Sequence, residues 1–216
     1  MRVALLTVSD SAAAGTQGDL SGPLLHKLVA EGGRTVIRAE IVPDDREAIS
    51  AWLCRAADVY GVDLVLTSGG TGLSPRDVTP EATRDVVDRE APGIAEAIRA
   101  AGLAKTPRAM LSRNVAGVRK QTLIINLSGS PKAVTDQWAV VEPVIEHAVD
   151  TIKGAGHHPH TDAERVIVSD PHPSQRRLAP VVRERDAGGG VWHNTLVGQP
   201  VEEVLEQLKK DRGSKK

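Results

Sequence analysis

The chain has 216 residues and is 40% hydrophobic but only 2% aromatic, with no Phe, one Tyr and three Trp. Its core must therefore be built from Val, Leu, Ile and Ala, a composition that suits the buried strands of a parallel sheet and gives no aromatic platform for stacking single-stranded nucleic acid. A formal net charge of −1 argues against a nucleic-acid partner, and a single cysteine, Cys54, excludes an intrachain disulfide and a cysteine-cluster metal site.

Residues 3–8 form a short apolar run that reads as a first strand. The run is too short for a signal-peptide core, and no stretch approaches the ~20 apolar residues that cross a bilayer. The chain reads as cytoplasmic, without a membrane partner. A Gly/Ser/Asp-rich loop follows over 9–22. Leu24, Leu25, Leu28 and Val29 have helical spacing over 23–30, stopped by Gly32 and Gly33. A second strand, 36–42, is broken by Pro43. Asp44 and Asp45 then open a helix to about residue 59, with acidic groups at its positive end. Cys54 falls on that helix and reads as a buried small side chain.

Residues 63–67 give a third strand, which runs into Ser68-Gly69-Gly70-Thr71-Gly72. Thr79-Pro80 predicts a helix start, with Thr79 as the side-chain cap. Helical segments continue through Ala101, with a short one over 107–112. Residues 121–127 are the next buried strand. Ser128-Gly129-Ser130-Pro131 then turns the chain into a helix that places Val134, Trp138 and Val141 on one face, with a kink or restart at Pro143. Trp138 reads as core or subunit interface.

This alternation over 1–153 predicts an α/β domain, doubly wound, with a mostly parallel sheet. Ligands of such sheets sit at the carboxyl ends of strands where the strand order reverses. From 154 the character changes. Residues 154–160, with His157, His158 and His160, read as a solvated linker in preference to a metal site. Residues 165–168 and 191–197 are candidate strands, 171–180 a loop, 201–208 an amphipathic helix and 212–216 a disordered end.

Three glycine-bearing loops follow strands and together make the candidate site: 9–22, 68–77 and 128–131. The strongest is Thr67-Ser68-Gly69-Gly70-Thr71-Gly72 followed by Arg76-Asp77-Val78-Thr79-Pro80. Adjacent glycines let backbone amides approach a phosphate, and the helix after them adds a positive dipole end. Asp77, between loop and helix, is placed either to hold a phosphate-bridging metal ion or to cap the turn. No Gly-Lys-Ser or Gly-Lys-Thr follows, so this is not a Walker loop.

The string T-S-G-G-T-G-L-S-P-R-D-V-T-P-E-A resembles the signature of the MoaB/Mog family, the molybdopterin-binding domain. Thr7-Val8-Ser9-Asp10 with Gly18-Asp19 and Ser21-Gly22 agrees. So do Ala109-Met110-Leu111-Ser112-Arg113 with Ala116-Gly117-Val118-Arg119, and residues 123–134. These blocks cover about 1–153, so the division is a family domain over 1–153 and an extension of unknown role over 154–216.

The resemblance implies a Rossmann-like three-layer α/β unit, commonly a homotrimer and sometimes a larger oligomer. It also implies a late step of molybdenum cofactor biosynthesis. ATP and a divalent cation, magnesium, are used to adenylylate molybdopterin with release of pyrophosphate, and the product passes to a metal-insertion protein. The family's two sensitive carboxylates fall on Asp44 and Asp77, with magnesium assigned to Asp77. For Asp44 a helix-capping role after Pro43 stays open. Substrate or nucleotide contacts are expected from Ser9, Asp10, Ser68, Gly69, Gly70, Thr71, Gly72, Asn126, Ser128, Gly129, Ser130 and Pro131.

Where the family usually has Pro, this chain has Ser128, which restores an amide donor. Asn126 is read either as a ligand contact or as a loop brace. Arg76, Arg113, Arg119 and Lys120 are candidate phosphate cations or solvated charges. Two other functions remain in view: a pterin carrier without turnover, and a nucleotide pyrophosphatase of the competence-damage type.

Overall fold

The computed structural model describes residues 1–154, 181–185, 192–196 and 199–200. The chain forms two compact units, Met1–Thr161 and Asp162–Lys216. In the first unit, β1 (Arg2–Val8), β2 (Thr35–Val42), β3 (Leu64–Ser68), β4 (Arg89–Glu90), β5 (Ala116–Arg119) and β6 (Thr122–Leu127) form one sheet, ordered β2-β1-β3-β6-β5-β4. β1, β2, β3 and β6 run parallel, whereas β5 is antiparallel to β6 and β4 to β5.

The helices are α1 (Asp10–Ala13), α2 (Ser21–Glu31), α3 (Arg46–Asp58), α4 (Thr79–Val86), α5 (Pro92–Leu103) and α6 (Pro131–Ile152), with a 3₁₀ turn over Pro107–Leu111. Strand alternation sorts the core into two layers. Val3, Leu5, Leu64, Leu66, Leu123, Ile125 and Leu127 pack with Leu25, Val29, Ile98, Val134, Trp138 and Val141, on the face of α2, α5 and α6. Ala4, Leu6, Val8, Val65 and Ile124 pack with Ile49, Trp52, Leu53, Ala56, Ala82 and Val86, on the face of α3 and α4. The central strands are buried on both faces, as their unbroken aliphatic runs require. The doubly wound α/β architecture expected of 1–153 is present.

Four details differ from expectation. The sheet gains β4 and β5, because Gly117 lets the chain close on Val87 and Arg89; a side chain there would lie 2.9 Å from the Arg89 carbonyl oxygen. α6 does not restart at Pro143 but runs through it, held by a buried stripe of Val134, Trp138, Val141, Ile145 and Val149 on both sides of it. Thr79 is the first residue of α4 and does not cap it with its side chain. Cys54 is only partly buried, at the edge of the second layer.

In the second unit, β7 (Val181–Arg185), β8 (Trp192–Leu196) and β9 (Gln199–Pro200) form an antiparallel sheet in chain order. The strand expected over 191–197 is β8. The expectations for 154–160 beyond Gly154, and for 165–168, 171–180, 201–208 and 212–216, lie outside the described residues.

Candidate active site

The chain leaves β1 toward β2 and β3 returns on the other side of β1, so the carboxyl ends of β1 and β3 open a crevice between outgoing loops. Gly69 and Gly70, at φ +106° and +62°, carry the chain out of β3. The Gly69 amide donates to the Leu127 carbonyl at 3.1 Å, and the Thr79 hydroxyl donates to the Gly69 carbonyl at 3.0 Å. That hydroxyl therefore ties the loop to α4, which is why it is not a cap. Gly129 touches the same loop: a Cβ on it would lie 3.1 Å from the Gly69 Cα.

Among the described residues, the amides of Gly70, Thr71, Gly72, Gly129 and Ser130 donate to no protein acceptor. They are free to meet phosphate oxygens. The loops enclose a cavity of about 580 Å³. Ser9, Asp44, Ser68, Gly69, Gly70, Thr71, Gly72, Asp77, Ser128, Gly129, Ser130 and Pro131 all line it.

Asp44 and Asp77 face this cavity from opposite loops. Asp45, not Asp44, caps α3 by accepting from the Ala48 amide at 2.8 Å, which leaves the Asp44 carboxylate for other work. Asp44 Oδ2 accepts from the Asp10 amide at 2.9 Å, and its Oδ1 has no hydrogen-bond partner among the described residues. Asp77 Oδ2 accepts from the Ser74 amide at 2.8 Å, and its Oδ1 is likewise free there. Burial, reinforced by the charges of Asp10 and Asp77, pushes the Asp44 carboxyl above the ordinary carboxylate range despite the Asp10 amide.

A divalent cation at this point would relieve that repulsion. No cluster of three or more metal-ligating side chains occurs among the described residues. Two carboxylates with one free oxygen each nevertheless fit magnesium, which takes one or two protein carboxylates and completes its shell with water and phosphate oxygens.

Asp10 does not line the cavity. It clasps two loops instead: the Asp44 amide donates to Asp10 Oδ1 at 3.0 Å, and Arg76 grips the same carboxylate through Nε at 3.0 Å and Nη2 at 2.9 Å. The Arg76 hydrogen bonds hold the Asp10 carboxyl below its usual value. Asp19, part of the Gly18-Asp19 block but not among the expected site residues, does line the cavity. Burial works to raise its carboxyl, but hydrogen bonds from Gly22, Thr7 and Ser21 outweigh it and hold the group low.

Each cation considered from the sequence is committed elsewhere. Arg113 donates to the carbonyls of Gly72 at 2.7 Å and Asp77 at 2.6 Å and pairs with Glu81, so it braces the loop from behind. Arg119 and Lys120 converge on Asp58, whose carboxyl their hydrogen bonds lower to about 2. The guanidinium that does line the cavity is Arg108.

Asn126 is fully buried and also lies off the cavity. Its amide nitrogen donates to Thr67 Oγ1 at 3.0 Å and Thr83 Oγ1 at 2.9 Å, and its Oδ1 accepts from the Val115 amide at 3.2 Å. Of the two readings left open for it, the geometry is that of a brace joining β3, β6 and α4. Asn126→Ala strands these three partners without water, so a stability loss of about 2–4 kcal/mol is expected. Urea denaturation measures it, and a midpoint unchanged from wild type would contradict the brace.

Ser128 is held by α6. Its amide donates to Gln137 Oε1 at 2.8 Å, and the Gln137 amide nitrogen donates back to Ser128 Oγ at 2.9 Å. The turn is thus tied by the donor that a proline there would lack.

Residues 4–147 match the family model described as a probable molybdopterin binding domain. The chain belongs to that family. It is 40% identical over 156 residues to the molybdopterin adenylyltransferase of Helicobacter pylori strain J99, covering 71% of this chain and 89% of that protein. It is 41% identical over 138 residues to the molybdopterin adenylyltransferase of Escherichia coli K12, covering 63% and 71%. Among solved structures, the molybdopterin biosynthesis enzyme MoaB of Thermus thermophilus superposes with a TM-score of 0.68 at 50% identity, covering 71% of this chain and 96% of that one.

Proposed function

We propose that this protein adenylylates molybdopterin, joining its terminal phosphate to the AMP moiety of ATP and releasing pyrophosphate, in molybdenum cofactor biosynthesis. The observation that carries the reading is the pairing of Asp44 and Asp77, each with a free oxygen, across a cavity floored by unpartnered glycine-loop amides. The names of the relatives support the same chemistry.

A phosphate oxygen of the pterin attacks the α-phosphorus of ATP. One P–O bond forms, the bond to the bridging oxygen breaks, and that oxygen leaves with pyrophosphate. Little covalent chemistry is asked of the protein, so catalysis is positioning and charge stabilisation. The amides of Gly70, Thr71 and Gly72 hold one phosphate and those of Gly129 and Ser130 a second. Arg113, by fixing the Gly72 and Asp77 carbonyls, keeps the first set aligned. Magnesium bound by Asp77 and Asp44 would neutralise charge across the phosphate oxygens. Asp10 and Arg76 hold the Asp44 loop and the Asp77 loop together. The reading takes a cytoplasmic homotrimer as the working form and a metal-insertion protein as the recipient of the product, as the family resemblance implies.

The test is incubation with molybdopterin, a divalent cation and α-labelled ATP, followed by chromatography. Labelled adenylylated pterin and an equal amount of pyrophosphate are expected. Pterin binding without label transfer under any divalent metal overturns the reading in favour of a carrier. Pyrophosphate-bond cleavage without a labelled pterin product favours the pyrophosphatase.

A further inference from the structure

A second cavity of about 270 Å³ adjoins the first. The two share one wall, made of Arg108, Ser112, Ser128 and Ser130. Their charges are opposite. The large cavity is lined by three carboxylates, Asp19, Asp44 and Asp77, against Arg108. The small one is lined by Arg99, Lys105 and Arg108 against Asp136 alone.

Lys105 is paired with Asp136 at 2.6 Å. Arg99 donates to the Asn114 carbonyl at 3.1 Å and has no carboxylate partner among the described residues. Arg108 has no side-chain partner of either kind among them. Its backbone, in contrast, is fixed. Thr106 Oγ1 accepts from the Arg108 amide at 3.3 Å, and the 3₁₀ turn seats against α5 at Gly102, where a Cβ would lie 2.8 Å from the Ala109 Cβ. Two uncompensated guanidinium groups thus line a small cavity whose wall also carries Lys105, Gln137 and the hydroxyls of Thr106, Ser128 and Ser130. Paired guanidiniums and hydroxyls recognise compact polyanions.

We infer that the small cavity is a diphosphate site, with Arg108 standing at its junction with the large cavity and Arg99 behind it. Taken with the adenylyl-transfer reading, on which this assignment of the occupant rests, the diphosphate is the expelled pyrophosphate. Pyrophosphate that has shed its metal is repelled by Asp19, Asp44 and Asp77, whereas one step across the shared wall brings the anion to Arg108 and Arg99. The side cavity therefore sets product release and product inhibition.

The test is calorimetric titration of inorganic pyrophosphate into the full chain in the presence of EDTA, so that Asp44 and Asp77 carry no metal. Saturable binding is expected, weakened by added salt and tighter than binding of inorganic phosphate. Arg108→Ala should weaken it at least tenfold, and Arg108→Lys should retain most of it. Arg108 is exposed, so its variants keep the wild-type melting temperature.

Absence of binding, wild-type affinity in Arg108→Ala, or equal affinity for phosphate and pyrophosphate overturns the site; the last result indicates a phosphomonoester pocket. Failure of the functional reading is distinguishable. Pyrophosphate held through Arg108 by a chain that transfers no adenylyl group removes the transfer reading and keeps the diphosphate site. Full transfer with pyrophosphate affinity indifferent to Arg108 removes the site alone.

Discussion

Asp77→Ala should lower adenylyl transfer on the order of a thousandfold or more while leaving pterin affinity within about threefold of wild type. The size follows from what the carboxylate touches. Asp77 faces the cavity with Oδ1 unpartnered among the described residues, opposite an Asp44 carboxyl already pushed up by burial and by neighbouring charge. Removing Asp77 leaves one carboxylate where a phosphate-bridging cation needs support.

The usual objection to an alanine at such a place is collapse of the loop. Here the backbone is anchored without the side chain: the Asp77 amide donates to the Ser74 carbonyl at 2.9 Å, and Arg113 Nη2 grips the Asp77 carbonyl at 2.6 Å. Asp77→Asn sharpens the experiment, because an amide oxygen still accepts from the Ser74 amide but carries no charge. Single-turnover rates with labelled ATP, alongside fluorescence titration of the pterin, separate the effects. Turnover retained in Asp77→Asn would show that charge at this position is not needed and would remove the metal assignment.

The elements that position this chemistry were legible wherever the cause was local. A buried aliphatic run followed by Ser68-Gly69-Gly70 announces a strand ending in a loop with left-handed backbone, and β3 ends there with φ +106° and +62°. Ser130-Pro131 announces a helix start, and Ser130 does cap α6 by accepting from the Ala133 amide.

What stayed hidden was set by partners distant in the chain. Arg119 finds Asp58 61 residues away, and Arg76 finds Asp10 66 residues away; no spacing rule links either pair. Both arginines look like phosphate ligands until the fold pairs them. Arg108 carries no signal of its own, and it becomes a cavity cation only because the 3₁₀ turn packs on Gly102. Thr79 and Asn126 show the same limit. Each was placed beside the right loop, but the tertiary neighbours Gly69, Thr67 and Thr83 decide whether the polar group serves the ligand or the scaffold. β5 escaped notice because Ala-Gly-Val-Arg is too short and too small to show a period, and its pairing with β4 depends on a glycine having no side chain.

Gly69→Ala is expected to be the most damaging glycine-to-alanine change among the described residues. Two penalties fall on one atom. At φ +106° an L side chain is strained wherever it points, and here it points at the main chain, with the new Cβ 2.2 Å from the Val8 carbonyl oxygen and 3.2 Å from its carbon. Val8 ends β1, pairs with Val42 of β2 and is buried, so the oxygen cannot retreat without moving the sheet.

Backbone strain of ~1–2 kcal/mol and steric overlap of ~1–3 kcal/mol together predict a melting-temperature drop of roughly 10 °C for a domain of this size. Activity should fall further than stability, because the displaced loop carries the free amides of Gly70, Thr71 and Gly72, and Gly129 rests on the Gly69 Cα. Two controls isolate the causes. Gly15→Ala has the backbone strain at φ +70° but meets no atom within 4 Å, so it should lose only ~1–2 kcal/mol. Gly18→Ala has neither penalty and should melt with wild type. If Gly69→Ala melted with Gly15→Ala, the approach of the loop to Val8 would be looser than the structure has it, and the amide cradle would lose its rigid floor.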